Sequence, residues 1–183
     1  FIADYANNRV RKINSAGIIT TIAGNGSGTS SGDGFQATAA GLHGPGGVVV
    51  DHSGNVYVTE FDGNRMRKIN GSGIISTFAG NGIGGYTFDG VAATASELYH
   101  PHYVTIDIYG NIYVADNANQ RIREIDTNGI ITTVAGVGGT PTFGGDGGPA
   151  TAANLNYPSS VKVDGAGNLY IADGNNFRFR EVN

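Results

Sequence analysis

The chain repeats itself at intervals of 56 or 57 residues, and this repeat restricts the fold more than any other feature of the sequence. Four related segments begin at Phe1, Tyr57, Tyr113 and Tyr170. Self-similarity at a fixed period is the signature of a repeat architecture. Other positions keep the same register, namely Arg9, Arg65, Arg121 and Arg178, then Pro45, Pro101 and Pro158, then Asp51, Asp107 and Asp164.

Each unit contains four short runs that are typical of strands. In the second unit the runs cover residues 47–51, 55–60, 65–70 and 74–79, and turn-forming Gly, Asn, Asp and Ser separate them. Four such runs joined by tight turns predict an antiparallel meander. A longer glycine-rich loop follows, and its residues 92–98 are predicted to form one helical turn.

The strand runs are apolar on both faces. Val56 and Val58 point one way, while Tyr57 and Thr59 point the other way. A sheet with one face in water would alternate apolar and polar residues, so each meander must be covered on both faces. Radial stacking about an axis achieves this, and we therefore predict an all-β propeller of four-stranded antiparallel blades. A linear solenoid is the alternative, although its rungs are usually about half this length.

The predicted blades do not close a ring within this chain. We interpret residues 1–183 as one propeller segment with units 1–56, 57–112 and 113–169 and a partial unit 170–183. This amounts to about 3.5 blades, whereas propellers have about four to eight. The chain also begins in mid-strand without an initiator Met or a signal-peptide pattern. We expect that it is part of a longer polypeptide or that a second copy completes the ring.

Composition excludes several kinds of site. The chain has no cysteine, so disulfides, thiolate metal sites and cysteine nucleophiles are not available. The net charge of −4 argues against binding a nucleic-acid backbone. No run of apolar residues is long enough to cross a membrane as a helix.

A family resemblance rests on four strings. They are G-I-I-T-T-V-A-G (129–136), G-G-D-G-G-P-A-T-A-A-N-L-N-Y-P (144–158), V-K-V-D-G-A-G-N-L-Y-I-A-D (161–173) and N-x-R-x-R (176–180). Together they resemble the NHL repeat family, in the long form found in bacterial secreted proteins and in the teneurin propeller. The resemblance implies a propeller over essentially the whole chain. It leaves function open, because NHL domains include protein-binding, RNA-binding and zinc-dependent lyase propellers.

The charged residues recur with the repeat. Ten of the eleven Lys and Arg residues lie in the third strands, and ten of the fifteen acids lie at three repeated positions. We predict structural ion pairs across the turn between the second and third strands, in preference to an anion-binding ring of arginines. The pairs join residues five apart: Asp4 with Arg9, Glu60 with Arg65, Asp116 with Arg121, and Asp173 with Arg178.

Two further sets of aspartates are assigned to turns. Asp51 and its copies precede x-x-Gly-Asn and predict turns that the side chain supports. One Asp occurs in each long loop, at Asp33, Asp89 and Asp146. Calcium usually needs several carboxylates close together, so we favour turn or cap duty for these residues over a metal site.

Residues that differ between the blades are the candidates for a specific site. The loops between blades and the loops from second to third strand share one face, which also carries Tyr5 and Asp62. On it we predict a ligand-binding set of His43, Phe61, Tyr99, His100, His102 and Tyr157, because aromatic and His side chains on loops are common ligand contacts. The alternative is that Tyr99, His100 and Tyr157 pack beside the recurrent proline.

We therefore predict a non-enzymatic binding or scaffolding propeller, extracellular or secreted, without a cofactor or a metal. Its expected partner is a protein, a glycan or a small ligand, with no nucleic acid and no membrane span. The alternatives are a zinc-dependent lyase that uses His43, His100 and His102, and a building block that assembles through its open edges. Two weak glycosylation sequons begin at Asn25 and Asn70.

Overall fold

The computed structural model describes residues 1–183, which form four antiparallel sheets. No helix in it has the length and apolar character that crossing a membrane requires. Single turns of 3-10 helix cover Tyr5–Asn7, Ala93–Ala95, Asn117–Asn119, Ala150–Ala152 and Gly174–Asn176. The strands are β1 (Ile2–Asp4), β2 (Arg9–Ile13), β3 (Ile19–Ala23), β4 (Pro45–Val50), β5 (Val56–Glu60), β6 (Arg65–Ile69), β7 (Ile75–Ala79), β8 (Val91–Ala92), β9 (Pro101–Ile106), β10 (Ile112–Asp116), β11 (Arg121–Ile125), β12 (Ile130–Ala135), β13 (Pro158–Val163), β14 (Leu169–Asp173) and β15 (Arg178–Val182).

The sheets are successive blades of a propeller. Their strand orders are β1-β2-β3, β4-β5-β6-β7, β8-β12-β11-β10-β9 and β13-β14-β15. The first strands of neighbouring blades lie together, with β9 against both β4 and β13. The predicted all-β propeller of four-stranded blades is therefore confirmed. The two-residue β8 comes from the long loop and joins the outer edge of the third blade.

The core lies between the blades. Val10 and Ala23 of the first blade pack with Val58 and Ile75 of the second, and all four are fully buried. On the other face of the second blade, Tyr57 joins a cluster with residues of the third blade. The second and third sheets are thus apolar on both faces because a neighbouring blade covers each face.

The arginine that pairs with each second-strand acid is not the predicted one. The acid pairs with the second arginine of the next strand, seven residues on, and each N–O distance is 3.5 or 3.6 Å. Although the predicted partners lie opposite each other in the strand register, the acid points into the blade and the second arginine reaches it diagonally. The corrected pairs are Asp4 with Arg11, Glu60 with Arg67, Asp116 with Arg123, and Asp173 with Arg180.

The loop aspartates bind the same arginines. Asp33 pairs with Arg67 and also accepts a hydrogen bond from the Thr77 hydroxyl at 2.7 Å. Burial alone would raise the pKa of Asp33, but the hydrogen bonds from Thr77 and Arg67 lower it overall. The loop aspartates therefore bind arginines, whereas the sequence predicted that they support turns or caps. We use the term arginine bridge for the loop Asp, the arginine and the second-strand acid together. The three complete bridges are Asp33–Arg67–Glu60, Asp89–Arg123–Asp116 and Asp146–Arg180–Asp173.

In the first three blades, the first arginine of the third strand binds the start of the following loop. Arg9 donates to the Asn25 carbonyl at 3.0 Å, and Arg121 donates to the Val137 carbonyl at 2.7 Å. Arg178 lies over the ring of Phe143 at 3.8 Å. These guanidinium groups therefore hold loops in place, which is the structural use we preferred over an anion-binding ring.

The Asp-x-x-Gly-Asn segments form the expected side-chain-supported turns. One carboxylate oxygen of Asp51 accepts the backbone N–H groups of Ser53 and Asn55, at 2.9 and 2.8 Å. The second oxygen accepts the Asn55 side-chain amide at 2.7 Å. Burial would raise the pKa of Asp51, but these hydrogen bonds together lower it. The same bonds recur at Asp107 and Asp164, so this prediction is confirmed.

We predict that Arg67→Met destabilises the chain far more than Arg65→Met. The Arg67 side chain is buried between Glu60 and Asp33, and its removal leaves the buried Glu60 carboxylate without its cationic partner. Such a loss costs about 3 kcal/mol or more of the free energy of unfolding. Arg65 donates hydrogen bonds to the carbonyls of Gly63 and Asn81. We therefore expect Arg65→Met to lower the free energy of unfolding by about 1 kcal/mol.

Urea denaturation of the two variants beside the parent chain provides the measurement. Because both substitutions remove one guanidinium from the same strand, the comparison isolates the buried pair. Equal losses for the two variants, or a larger loss for Arg65→Met, would contradict the corrected pairing.

Candidate functional site on the loop face

One face of the propeller is built from two kinds of loop, and we call it the loop face. It comprises the turns from second to third strand at residues 5–8, 61–64, 117–120 and 174–177, and the long loops 24–44, 80–100 and 136–157. The first strands start at this face and the second strands end there, as in the pairing of Pro45 with Glu60. Side chains from several blades can therefore meet near the propeller axis.

Five side chains from three blades meet on this face and form what we call the aromatic cluster: Tyr5, Phe61, Tyr99, His100 and His102. The rings of Phe61 and His100 are stacked, with centroids 4.4 Å apart and an interplanar angle of 13°. His102 meets Phe61 edge-on at 5.5 Å, and Tyr99 lies 4.7 Å from His100. Tyr5 meets the other side of Phe61 at 6.2 Å.

Exposure makes the cluster a candidate binding surface. Tyr5 is 48% exposed and Tyr99 is 40% exposed, whereas Phe61, His100 and His102 are half-buried between them. Rings that are held by neighbours and open to solvent on one side lose little conformational entropy when they contact a ligand. The structure thus brings together four of the six predicted ligand-binding residues and adds Tyr5.

The backbone at His100 is held in the left-handed region, with φ at 52°. Its backbone N–H donates to the Asn64 side-chain oxygen at 3.0 Å, which holds the backbone from which the imidazole ring projects. The equivalent position in the second blade is Gly44, where a Cβ atom would clash with the carboxylate of Asp62. The cluster is consequently specific to the junction of the second and third blades rather than a property of every repeat.

Tyr5 and Asp62 close the cluster on the side of the first blade. The Tyr5 hydroxyl donates to an Asp62 carboxylate oxygen at 2.7 Å. This hydrogen bond, together with burial and the negative charge of Asp62, raises the pKa of Tyr5. The pair places one carboxylate beside the aromatic rings, so a ligand there meets both apolar and anionic groups.

A buried carboxylate supports the other side of the cluster. Asp116 is fully buried and accepts the backbone N–H of Tyr99 at 2.8 Å. Burial raises the pKa of Asp116 to about 6, although the hydrogen bonds from Tyr99 and Asn119 and the charge of Arg123 act in the opposite direction. The position of Tyr99 therefore depends on a carboxyl group that changes charge near neutral pH.

Two predicted site residues lie apart from the cluster. His43 is half-buried, makes no aromatic contact with the cluster, and donates its backbone N–H to Glu60 at 3.0 Å. Tyr157 is 40% exposed at the next junction, where the neighbouring Pro158 carbonyl accepts a hydrogen bond from the Asn117 amide. A polar Asn thus stands there where Phe61 stands in the cluster.

Two neighbours of the cluster were not predicted from the sequence. Tyr103 is 49% exposed, and its ring lies 6.4 Å from that of His102. The Ser159 carbonyl oxygen is 2.7 Å from the His102 ring nitrogen Nδ1, which fixes the orientation of this ring. Tyr103 carried a signal, because it directly follows His102, but its position inside a strand argued against a loop-face site.

No three His, Cys, Asp or Glu side chains lie close enough together to hold a metal ion. His43, His100 and His102 thus do not form a zinc site in this arrangement.

Of the two sequon residues, Asn25 donates its side-chain amide to the Ala39 carbonyl at 3.0 Å. The Asn70 side-chain oxygen accepts the N–H groups of Ser72 and Ile74. Whether either is glycosylated stays a prediction.

The blades, the repeated arginine bridges and the loop face define an NHL-type propeller segment. Two stretches of the chain, residues 27–84 and 84–142, match the family described as the Teneurin NHL domain. The chain belongs to this family.

Curated relatives agree with the match. The chain is 31% identical to Teneurin-1 of Gallus gallus over 198 residues, which cover 94% of this chain and 7% of that protein. It is 26% identical to Teneurin-4 of Homo sapiens over 274 residues, which cover the whole chain and 10% of that protein. The chain thus spans about a tenth of the length of these relatives.

Solved structures share the fold. A protein of unknown function from Bacteroides thetaiotaomicron has a TM-score of 0.75 at 23% identity, over 96% of this chain and 42% of its own. An auxiliary nutrient binding protein from the same species has a TM-score of 0.69 at 19% identity, over 98% and 43%. A streptogramin B lyase has a TM-score of 0.55 at 16% identity, over 97% and 48%. At these identities the likeness concerns the fold alone.

We predict that the Asp116 carboxyl titrates near pH 6, while that of Asp107 titrates below its ordinary value. Asp116 is isolated from water, whereas burial of Asp107 is outweighed by hydrogen bonds from Asn111 and Tyr109 that lower its pKa. Carboxyl carbon shifts in ¹³C NMR give both values, and the Tyr99 amide signal should move with Asp116 alone.

The raised pKa also determines a pH dependence of stability. Between about pH 4 and pH 6 the folded chain holds a proton on Asp116 that the unfolded chain releases. The contribution of this carboxyl is therefore complete below about pH 4 and falls by about 3 kcal/mol as the pH rises through 6. An Asp116→Asn variant that shows the same pH slope as the parent chain in urea denaturation would refute the assignment.

Proposed function

We propose that the chain is a non-enzymatic binding propeller that takes up a partner on its loop face through the aromatic cluster. The observation that carries the proposal is the stacked pair of Phe61 and His100, flanked by the exposed rings of Tyr5 and Tyr99. Aromatic side chains supply much of the energy at protein interfaces, because they bury a large area with few rotatable bonds.

The composition of the cluster favours a protein or a glycan as the partner. Flat rings suit the apolar faces of sugars and of partner side chains, and Asp62 supplies an acceptor for hydroxyl or amide donors. The Arg residues of the third strands are engaged in bridges and loop contacts, which argues against a basic surface of the kind that nucleic acids require. The resemblance to NHL repeats implies protein binding among other uses, and an extracellular or secreted location is part of this proposal.

A pair of variants on opposite faces tests the proposal. We predict that the parent chain binds members of an immobilised oligosaccharide array or a displayed peptide library. Tyr99→Ala should weaken the selected complexes about tenfold or more, since it removes an exposed ring of the cluster. Tyr109→Ala is the matched control, because Tyr109 is 76% exposed in the turn between β9 and β10 on the opposite face.

Binding constants from biolayer interferometry give the comparison. Equal effects of the two variants would refute a role for the cluster, and so would the absence of any binder in both collections. Circular dichroism should show that both variants stay folded, because each side chain projects into solvent.

The metal question has its own measurement. We predict that purified protein contains less than stoichiometric zinc by atomic emission and that His102→Ala leaves its metal content unchanged. His100 and His102 lie on Phe61, but no third ligand accompanies them. Stoichiometric zinc that is lost in His102→Ala would instead support the lyase alternative.

A further inference from the structure

The aromatic cluster adjoins a carboxylate that no Lys or Arg of the chain neutralises. Asp62 follows Phe61 in the turn between β5 and β6 and is half-buried. Its Oδ2 atom accepts the Tyr5 hydroxyl at 2.7 Å. The ion pairs of the chain use other acids, and their cations are Arg11, Arg67, Arg123 and Arg180. A negative charge therefore lies beside the aromatic rings without a cationic partner from the chain.

The repeat shows that the framework does not require this charge. The positions equivalent to Asp62 in the other blades are Ala6, Ala118 and Asn175, none of which is charged. Those blades form the same turn without an acid at this position. Asp62 thus differs from the acids of the arginine bridges, which recur in every unit and hold the blades together.

Elsewhere the chain shows how it holds a guanidinium group. Arg123 donates to an Asp89 carboxylate oxygen at 3.0 Å, and its guanidinium carbon lies 4.9 Å from the centre of the Tyr86 ring. The fourth blade repeats this arrangement with Arg180, Asp146 and Phe143. The carboxylate accepts hydrogen bonds from the guanidinium, and the electron-rich ring attracts its positive charge. A carboxylate beside an aromatic ring is therefore one environment in which this chain binds arginine.

Asp62 and its neighbours present the same two chemical groups on the loop face. The hydrogen bond from Tyr5 holds the carboxylate at the edge of a ring that is 48% exposed. The Phe61 ring lies 6.2 Å from that of Tyr5 and belongs to the residue next to Asp62. The aromatic cluster itself contains no Lys or Arg. An arginine from another molecule can thus meet a carboxylate and aromatic rings at one place.

The charge of Asp62 also selects against neutral partners. A neutral group that covers the carboxylate removes water from it and leaves its charge without compensation, which is costly. A lysine ammonium compensates the charge but is compact and strongly hydrated. A guanidinium is planar and weakly hydrated, so it can bond to the carboxylate and stack on a ring together. The net charge of −4 further favours a cationic partner.

We infer that Asp62 determines the specificity of the aromatic cluster, and that the partner on the loop face is a protein that presents an exposed arginine. The guanidinium of this arginine binds the Asp62 carboxylate and stacks on the rings beside it. The inference rests on the proposed function, because it takes the cluster as the binding surface and adds the residue type that the surface recognises.

The probe is a blocked single residue, N-acetyl-arginine N-methylamide, which is added to the ¹⁵N-labelled chain in an NMR titration. The backbone amide signals of Phe61, Asp62 and His100 should shift saturably, with a dissociation constant on the order of 1 mM. The citrulline derivative has nearly the same shape without the charge and should bind about tenfold more weakly or less. The lysine derivative should also bind more weakly than the arginine derivative.

Two variants of the chain isolate the charge of Asp62. Asp62→Asn keeps an acceptor for the Tyr5 hydroxyl and should weaken binding of the arginine derivative about tenfold, with no effect on the citrulline derivative. Asp126→Asn is the matched control on the opposite face and should change neither. Its turn tolerates the substitution, because Asn14 and Asn70 accept the same backbone hydrogen bonds in the equivalent turns.

Any of four results would overturn the inference: no saturable shift at residues 61–63, equal binding of the arginine and citrulline derivatives, equal binding of the arginine and lysine derivatives, or equal effects of Asp62→Asn and Asp126→Asn. The proposed function would survive them if Tyr99→Ala still weakened the complexes selected from the oligosaccharide array or the peptide library. Selected complexes that ignore Tyr99→Ala would instead remove the proposed function.

Discussion

The fold depends on a buried arginine that belongs to one blade and is held by two carboxylates from different parts of the chain. Arg67 reaches Glu60 within its own sheet and Asp33 in the loop that arrives from the preceding blade. A buried guanidinium is costly unless its donors are satisfied, and carbonyls of the same loop satisfy others. The arginine therefore determines where the loop lies as well as how the sheet is closed. Because the loop then clamps the fourth strand, one ionic group couples the inner and outer parts of a blade.

The loop face follows from this framework. Three second-strand acids, Glu60, Asp116 and Asp173, also accept a backbone N–H from the residue two positions before the recurrent proline, as Asp116 does from Tyr99. The ionic framework and the aromatic cluster thus share a carboxyl group. The repeat supplies identical positions at each junction, and substitutions at a few of them create a site. Phe61 and His100 stack at one junction, while Gly44 at the previous one leaves room for the contact between Tyr5 and Asp62.

Much of the fold was predictable because it is encoded by local patterns that repeat. Strand runs that are apolar on both faces, tight-turn residues and the period of 56 or 57 residues were enough to predict the blades and their strand order. The partner of each arginine was not predictable from local spacing, because Arg65 and Arg67 lie on the same face of one strand and only burial distinguishes them. A signal existed at longer range, since Asp33, Asp89 and Asp146 each precede their arginine by 34 residues. The cluster was predicted in part, because the loops of a propeller share one face. The separation of Tyr157 from Phe61 was not predicted, because it depends on which blades carry the two residues.

Each long loop leaves one blade and contacts the outer strand of the next blade along the chain. The loop that closes the second blade begins after β3 of the first, and the loop that closes the third begins after β7 of the second. Damage to a loop, such as a protease cut near Gly34, would therefore release the outer strand of the blade that follows it. It would also weaken the blade before it, because Ala37 of the loop and Ile75 of the released strand pack with Val10 and Ala23. One cut in a long loop thus affects two adjacent blades, whereas a cut in a self-contained unit would affect that unit alone.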